Sequence, residues 1–434
     1  MSNKQKIVIV GAGSLQFGLG TVGSILNSKI LEGSTISLLD INPESLELVK
    51  TACQDAIDKN NLNFTLEATT NRRDAFKGAT FIINSIEITP RFEWFDLDFE
   101  IPWKYGFKQI MGENGGPGGL FHFLRIIPSI FEICEDIQRI CPNAFLINFS
   151  NPMSRICLAI KRKFPSLKFV GLCHELLGFK LHYGKILETP LSNLEMRAAG
   201  LNHFGVLLSI KYKDTGKDAY PDLRKKAPAY LSKLTGFMGD VDLAIYILEK
   251  YGYIPYTTDS HYGEYLQWGY EKGNFEGARL FYETYKTYTM SVAKKLQKAI
   301  KRGKGARLVK PDEERAIPII EGIISDSHHL EESVNIPNDG IITNLPKDLV
   351  IECPAIVTKN GLEGIKLGDY PRGLAALLRN QASVQDILVE AAIKNSKELA
   401  FQALLADPVV DNATKAEEMF EEMLRLNAEY IHLQ

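Results

Sequence analysis

Two side chains in the middle of the chain, a thiol and an imidazole, could share one divalent metal ion. Cys173 and His174 stand side by side where the apolar run KFVGLC ends, and His203 follows Asn202 about thirty residues later. A thiolate and an imidazole are ligands that suit a borderline divalent cation. The sequence therefore predicts that Cys173 and His203 hold a metal between two segments of the chain.

A nucleotide fingerprint lies upstream of these residues. The apolar run KIVIV is followed by Gly11, Gly13 and Ser14, then by a helical segment, and a second apolar run closes on Asp40. Glycines let the backbone approach a pyrophosphate, and an acid after the second strand accepts from a ribose diol. Because a carboxylate repels a 2′-phosphate, Asp40 favours NAD over NADP.

The elements that position these groups alternate between strand and helix. Further strands are predicted at 64–69, 79–87, in AFLINFSNPM and in KFVGLC, which makes six. Six such strands with helices between them indicate a Rossmann-type, doubly wound parallel sheet, with ligands outside the carboxyl ends of the strands. Asn84 and Asn148 lie at two of these ends and are predicted to contact the cofactor.

The segment MGENGGPGG, residues 111–119, is too rich in glycine for regular structure and carries one acid, Glu113. Glu113 is either an acid of the active site or a turn residue that caps the helix predicted at 128–140. Both interpretations stay open from the residues alone.

The alternation stops after about residue 205. We expect a hairpin around the turn DTGKD, long helices at 221–252, 275–302, 312–325, 371–406 and 414–430, and short strands between 334 and 357. The predicted architecture is therefore α/β, with a nucleotide-binding domain at 1–200 and a mixed α+β, largely helical domain at 201–434.

Composition excludes several classes of protein. The net charge of −3 gives no basic surface for nucleic acid. No apolar run reaches the roughly 20 residues of a membrane span, so no membrane partner is expected. Six scattered cysteines fit reduced thiols, and a cytoplasmic location is predicted.

Several motifs together resemble glycoside hydrolase family 4. They are GAGS at the N-terminus, NPM at 151–153, CHE at 173–175, GLNH at 200–203, HYGEYLQW at 261–268, VNIPNDGIITNLP at 334–346 and AFQALLADPVV at 400–410. The resemblance covers almost the whole chain, and it is specific because the motifs occur together.

The resemblance implies NAD and a divalent metal, usually Mn²⁺, on Cys173 and His203. His174 would lie beside the metal, as a catalytic group or a substrate contact. Asn151, Asn202 and His261 would bind the sugar. Glu113 takes the place of the family's acid and would protonate the leaving group.

In the mechanism that the family implies, the nicotinamide removes hydride from carbon 3 of the sugar and a base removes the proton at carbon 2. The metal stabilises the enediolate, the aglycone leaves, water adds and the hydride returns. Asp259 matches the position of the family's aspartate base. His261, Tyr256 and Tyr262 are the alternatives.

The resemblance also bears on the substrate and on assembly. Family members that act on phosphorylated sugars carry an arginine where this chain has Glu87, and a carboxylate would repel phosphate. An unphosphorylated glycoside is therefore expected, and the motifs look most like those of α-galacturonidases and α-galactosidases. Family members form homodimers or homotetramers, and the same is expected here.

Two other functions share the nucleotide-binding half. A dehydrogenase of the malate or lactate type would accumulate NADH and need no metal. A non-catalytic NAD-binding sensor would keep Asp40 but would have no use for the pair Cys173 and His203.

Overall fold

The computed structural model describes residues 4–236 and 239–434. The strands of the first half are β1 (Lys6–Val10), β2 (Thr35–Leu39), β3 (Thr65–Thr69), β4 (Phe81–Asn84), β5 (Phe145–Asn148) and β6 (Lys168–Gly171). The helices between and after them are α1 (Leu15–Leu26), α2 (Pro43–Lys59), α3 (Arg72–Phe76), α4 (Arg91–Lys104), α5 (Gly116–Ile140), α6 (Met153–Lys163) and α7 (Glu175–Leu187).

These six strands form a parallel sheet in the order β3-β2-β1-β4-β5-β6. The reversal of order at β1 and β4 is typical of a doubly wound sheet, and it confirms the predicted fold class. Local sequence explains each element: β1 is a β-branched run with most residues buried. Helix α2 starts with Pro43 after Asn42, whose side chain accepts from the amides of Glu44 and Ser45.

The second half adds strands to this same sheet. Its strands are β7 (Leu194–Leu201), β8 (Phe204–Tyr212), β9 (Leu330–Pro337), β10 (Val350–Thr358) and β11 (Gly361–Gly364). Strand β9 pairs antiparallel with β6, and the sheet continues through β10 and β7 to β8, while β11 pairs with β10. The two halves therefore share one 11-stranded sheet.

The pairing register aligns one row of residues across both halves. From strand to strand the partners are Val10, Asn84, Asn148, Gly171, Asn335, Glu352 and Gly200. Polar side chains in this row lie where the parallel strands end. The candidate active site lies at this row of residues.

Strands β7 and β8 form a hairpin whose turn is Asn202–His203. The predicted turn DTGKD also forms, at the far end of β8, where Lys211 and Asp218 make an isolated antiparallel bridge. The domain boundary predicted at residue 200 falls inside this hairpin. A boundary before Leu194 keeps the hairpin intact.

The glycine-rich segment is more regular than its composition suggests. Helix α5 begins at Gly116 and not near Pro128, so the sequence GPGG forms its first turn. Pro117 is tolerated there because the first amides of a helix need no partner within the helix. The irregular part shrinks to the five residues before Gly116.

The remaining helices are α8 (Tyr220–Leu231), α9 (Asp242–Tyr251), α10 (Asp259–Tyr262), α11 (Gly269–Lys272), α12 (Phe275–Lys301), α13 (Ala316–Ser325), α14 (Arg372–Lys394), α15 (Lys397–Ala406) and α16 (Ala413–Leu426). The long helices predicted at 221–252 and 371–406 are each divided in two. Within the described ranges, no helix is both long enough and apolar enough to cross a membrane.

Candidate active site

The turn after β1 has the geometry that a pyrophosphate requires. Gly11 adopts a φ of +84°, and a Cβ added there would lie 3.0 Å from the carbonyl oxygen of Ser85. The amide of Gly13 donates to Asp40 Oδ2 at 2.7 Å, and Ser14 precedes α1 with no side-chain capping bond. Backbone amides at a helix N-terminus beside an acid fit the phosphates and ribose of a dinucleotide.

Asn84 and Asn148 are neighbours in the polar row of the sheet. Asn84 Nδ2 donates to Asn148 Oδ1 at 2.9 Å and to Ser150 Oγ at 3.2 Å. Asn84 Oδ1 is buried without a partner. A buried amide oxygen without a donor is costly, so a ligand that donates a hydrogen bond here would fit.

The predicted metal pair converges in space. Cys173 Sγ lies 3.2 Å from His203 Nε2, although thirty residues separate them. Both groups lie at the same edge of the sheet as Asn84 and Asn148, because β6 ends just before Cys173.

Two further ligand groups join this pair. One ligand atom each from Glu175, His203 and His261 lie within 4.8 Å of one another. Glu175 Oε2 accepts from Thr257 Oγ1 at 2.8 Å, and Ser260 Oγ lies 3.0 Å from His261 Nδ1, which leaves the Nε2 side of His261 toward Glu175 at 4.0 Å. The sulfur of Cys173, the imidazole of His203 and the carboxylate of Glu175 fit a borderline divalent transition metal, and His261 lies beside them.

Backbone geometry aims His203 at this cluster. His203 sits in the two-residue turn with a φ of +62°, a conformation that costs about 1–3 kcal/mol for a residue other than glycine. Its ring lies 4.5 Å from that of His261, nearly perpendicular, and its Nδ1 lies 3.0 Å from the side-chain amide of Asn114.

The burial and close spacing of these side chains shift their pKa values. Burial, with the charge of His261, lowers the pKa of His203 to about 4. Burial alone would raise the pKa of Glu175, but His261 and His203 lower it to about 2. Burial, Glu352 and Glu175 raise the pKa of the Cys173 thiol well above its usual value. A bound cation would reverse that last effect, because it stabilises a thiolate.

Glu113 lies close to the cluster on the loop before α5. Its Oε1 accepts from Asn151 Nδ2 at 3.3 Å and lies 3.6 Å from a guanidinium nitrogen of Arg91. Burial opposes its charge, but Arg91 and His261 lower the pKa of Glu113. The predicted acid and the predicted sugar contact Asn151 are therefore adjacent.

His174 and Asn202 have different surroundings. The His174 side chain is 69% exposed, and its Nδ1 lies 3.5 Å from Glu314, whose hydrogen bond raises the pKa of His174 to about 9. Asn202 is buried under the cluster, where its Nδ2 donates to Glu352 at 2.9 Å. His174 is open to a ligand, whereas Asn202 supports the hairpin turn.

The prediction of Asp259 as the base does not agree with its contacts. Its carboxylate accepts three backbone amides, from Leu243 at 3.0 Å, Asn274 at 2.9 Å and Ala244 at 3.2 Å, and burial raises its pKa to about 7. Asp259 therefore anchors the start of α9. Tyr256 and Tyr262 are also buried among other groups.

Sequence reasoning missed several residues of this site. Glu175 was visible as the third residue of CHE, but nothing in the sequence told a ligand from a helix-start acid. Asn114 and Glu264 carried no signal, because their partners are backbone groups and a histidine far along the chain.

Comparisons with known proteins agree with this arrangement. The model described as Family 4 glycosyl hydrolase matches residues 6–189, and that of the Family 4 glycosyl hydrolase C-terminal domain matches residues 198–410. The chain is 43% identical to an alpha-glucosidase of Erwinia rhapontici, over 96% of this chain and 97% of that protein. It is 29% identical to an alpha-galactosidase of Bacillus subtilis (strain 168), over 93% of each chain.

A solved structure extends the comparison to the fold. The crystal structure of a 6-phospho-alpha-glucosidase from gut microorganisms, in complex with NAD and Mn²⁺, matches with a TM-score of 0.85 at 22% identity. It covers 99% of this chain and 100% of that one. The two family models and the 43% identical relative show that the chain belongs to glycoside hydrolase family 4 and is a glycosidase.

Proposed function

We propose that this protein hydrolyses an unphosphorylated α-glucoside with the help of NAD and Mn²⁺. The observation that carries the proposal is the convergence of Cys173, Glu175, His203 and His261 beside a dinucleotide turn. When bound, NAD would accept a hydride from carbon 3 of the sugar, and the cation would polarise the neighbouring oxygens. The residues Gly11, Gly13, Ser14, Asp40, Asn84 and Asn148 would hold the dinucleotide.

We assign the role of base to His261. Its Nε2 side faces the cluster, while its Nδ1 is held by Ser260. From that position it would take the proton from carbon 2 once carbon 3 is a ketone, which makes that proton acidic. Breaking the carbon 2–hydrogen bond supplies the electron pair that expels the aglycone from carbon 1.

Glu113 would give a proton to the departing oxygen. Its pKa must rise for this role, and Arg91 now holds it down. A neutral sugar bound over Glu113 would exclude water, and loss of hydration raises the pKa of a carboxyl group. Asn151 and His174 are positioned to bind sugar hydroxyls around it.

Charges around Arg91 support a neutral substrate. Glu113 and Glu87 both face its guanidinium, and the rings of Phe95 and Tyr285 lie 5.0 and 5.5 Å from it. Glu87 is paired in turn with His122 at 3.2 Å. Arg91 is thus neutralised and offers little to a phosphate or a uronate.

A neutralised Arg91 disfavours the α-galacturonide suggested by the motifs, whereas an α-galactoside is as neutral as an α-glucoside. Sequence identity favours the glucoside over the galactoside, since the relative named alpha-glucosidase is 43% identical and the one named alpha-galactosidase 29%. A glucoside differs from a galactoside only at carbon 4.

The proposal is tested with nitrophenyl glycosides in the presence of NAD⁺, Mn²⁺ and a reductant. The panel contains the α-glucoside, α-galactoside, α-galacturonide, β-glucoside and 6-phospho-α-glucoside. We expect the highest kcat/KM for the α-glucoside and no accumulation of NADH. A preference for the galacturonide or the phosphorylated sugar would refute the substrate, and one NADH per turnover would indicate a dehydrogenase.

We further propose that the protein is a homo-oligomer of the cytoplasm. Leu280, Tyr288 and Met290 on α12 are about half exposed, which is typical of residues that an assembly covers. All six cysteines are free thiols, as expected in a reducing compartment. Light scattering would contradict the assembly if it gave the mass of a single chain.

A further inference from the structure

One buried carboxylate holds the loop that precedes α5. Glu264 is fully buried and follows α10 in the second half of the chain. Its Oε1 accepts from the amides of Gly112 at 2.7 Å and Glu113 at 2.6 Å. Its Oε2 accepts from the amides of Asn114 at 2.9 Å and Gly115 at 3.1 Å.

Four consecutive amides that converge on one point need an anion there. No strand pairing is available to them, and each buried amide left unpaired would cost about 1–3 kcal/mol. The glycines allow the close approach, because a Cβ added at Gly115 would lie 2.7 Å from the carbonyl oxygen of Glu264. Gly112 has a φ of +137°, which only glycine adopts readily.

This loop presents two groups to the active site. Glu113 lies beside Asn151 and Arg91, where the leaving oxygen would be protonated. Asn114 places its amide 3.0 Å from His203 Nδ1, and its other amide atom has no partner. With its side-chain oxygen turned toward His203, Asn114 would accept a hydrogen bond from the Nδ1–H group of that ring. The lone pair on His203 Nε2 would then be free to bind a cation beside Cys173.

We propose that Glu264 is a positioning residue. By holding one loop, it fixes the place of the acid Glu113 and, through Asn114, the orientation of the metal ligand His203. The inference rests on the proposed function for the role of Glu113. Because both groups are adjacent in one loop, a single carboxylate fixes the distance between proton donor and cation. Both carboxylate oxygens of Glu264 accept from backbone amides, so Glu264 itself does not bind substrate.

The test compares two α-glucosides with different leaving groups in Glu264→Gln. A nitrophenolate leaves with little help from an acid, whereas the methoxide of methyl α-glucoside requires it. The glutamine would present an NH₂ group to amides that need an acceptor, so the loop would shift. We expect kcat/KM for the methyl glucoside to fall about 10- to 100-fold further than that for the nitrophenyl glucoside.

The second readout is Mn²⁺ affinity, measured by calorimetry without substrate. Loss of a residue that orients a metal-bound histidine weakens affinity about 10- to 100-fold, and we expect this in Glu264→Gln. Glu113→Gln should change the leaving-group ratio alone. Asn114→Ala should weaken Mn²⁺ binding and lower activity toward both glucosides alike.

Asp136→Asn is the matched control. Asp136 accepts hydrogen bonds from Arg72 and Arg139, so the variant also removes a partly buried carboxylate. It lies about 30 Å along α5 from Gly116, at 1.5 Å per residue. We expect an unchanged ratio and unchanged Mn²⁺ affinity.

Equal losses for both glucosides with normal Mn²⁺ affinity in Glu264→Gln would overturn the inference, because a general loss of stability has that signature. If this variant does not fold, Glu264→Asp keeps the charge and shortens the side chain, and the same two readouts apply. Failure of the proposed function differs from this outcome, since the unaltered enzyme would then cleave neither glucoside.

Discussion

His261 and Asp259 stand two residues apart, and their side chains make different contacts. His261 faces Glu175 and His203, whereas the Asp259 carboxylate accepts from three backbone amides, two at the start of α9 and one from Asn274. Proximity in sequence therefore does not decide which of them is the base. The contacts favour His261, because its Nε2 side faces the cluster, while both carboxylate oxygens of Asp259 are occupied by backbone amides.

At the scale of single residues, we predict different phenotypes for substitutions of His261 and Asp259. His261→Gln should lower the exchange of the carbon 2 hydrogen with deuterated solvent by about 100-fold or more. Asp259→Asn should lower the free energy of unfolding by about 1–3 kcal/mol, since its amides lose an acceptor. Exchange at carbon 2 is followed by NMR, and unfolding by denaturant titration.

The two results separate cleanly. Normal exchange in folded His261→Gln would show that another group is the base. Loss of exchange in Asp259→Asn at normal stability would restore the aspartate.

At the scale of elements, the first turn of α5 is constrained more tightly than its glycines suggest. A Cβ added at Gly119 would lie 2.4 Å from the carbonyl carbon of Asn114. A Cβ at Gly178, on the exposed side of α7, would meet nothing within 4 Å. The same substitution should therefore have opposite effects at the two positions.

We predict that Gly119→Ala lowers the free energy of unfolding by about 1–3 kcal/mol through overpacking. Gly178→Ala should raise it by about 0.5–1 kcal/mol, because alanine favours the helix. Denaturant titration measures both variants. A stabilising Gly119→Ala would mean that the loop before α5 moves aside freely, which contradicts its fixed place under Glu264.

At the scale of the whole molecule, the candidate metal cluster joins distant parts of the chain. Cys173 and Glu175 follow β6, His203 lies in the β7–β8 hairpin, and His261 lies on α10. A cation held by Cys173, Glu175 and His203, with His261 beside it, would link the two halves across the shared sheet. Such a ligand binds only the folded chain, so it shifts the folding equilibrium.

We predict that saturating Mn²⁺ raises the melting temperature and that a chelator reverses the change. At 100 times the Kd the stabilisation is about 2.7 kcal/mol. Cys173→Ser should lose most of the shift while keeping NAD binding, because the nucleotide turn lies on β1 and β2. A full Mn²⁺ shift in Cys173→Ser, measured by calorimetry, would contradict the assignment of Cys173.

The parallel half could be predicted from sequence because its information is local. Apolar β-branched runs, the turn at Gly11 and the cap at Asn42 each act within a few residues, and the doubly wound sheet follows from them. The motifs around Cys173 and His203 likewise indicated the family. These patterns predicted the fold class, the glycine turn after β1 and the proximity of Cys173 and His203.

Only the tertiary structure decided which other side chains lie beside the nucleotide turn and the pair Cys173 and His203. The antiparallel strands β9, β10, β7 and β8 extend the first sheet, and that pairing brings Glu352 under Asn202 and the second half over the glycine loop. The assignment of His261 over Asp259, and the role of Glu264, follow from hydrogen bonds between residues about 15 to 150 positions apart. Such contacts depend on long-range packing, which no local pattern of residues encodes.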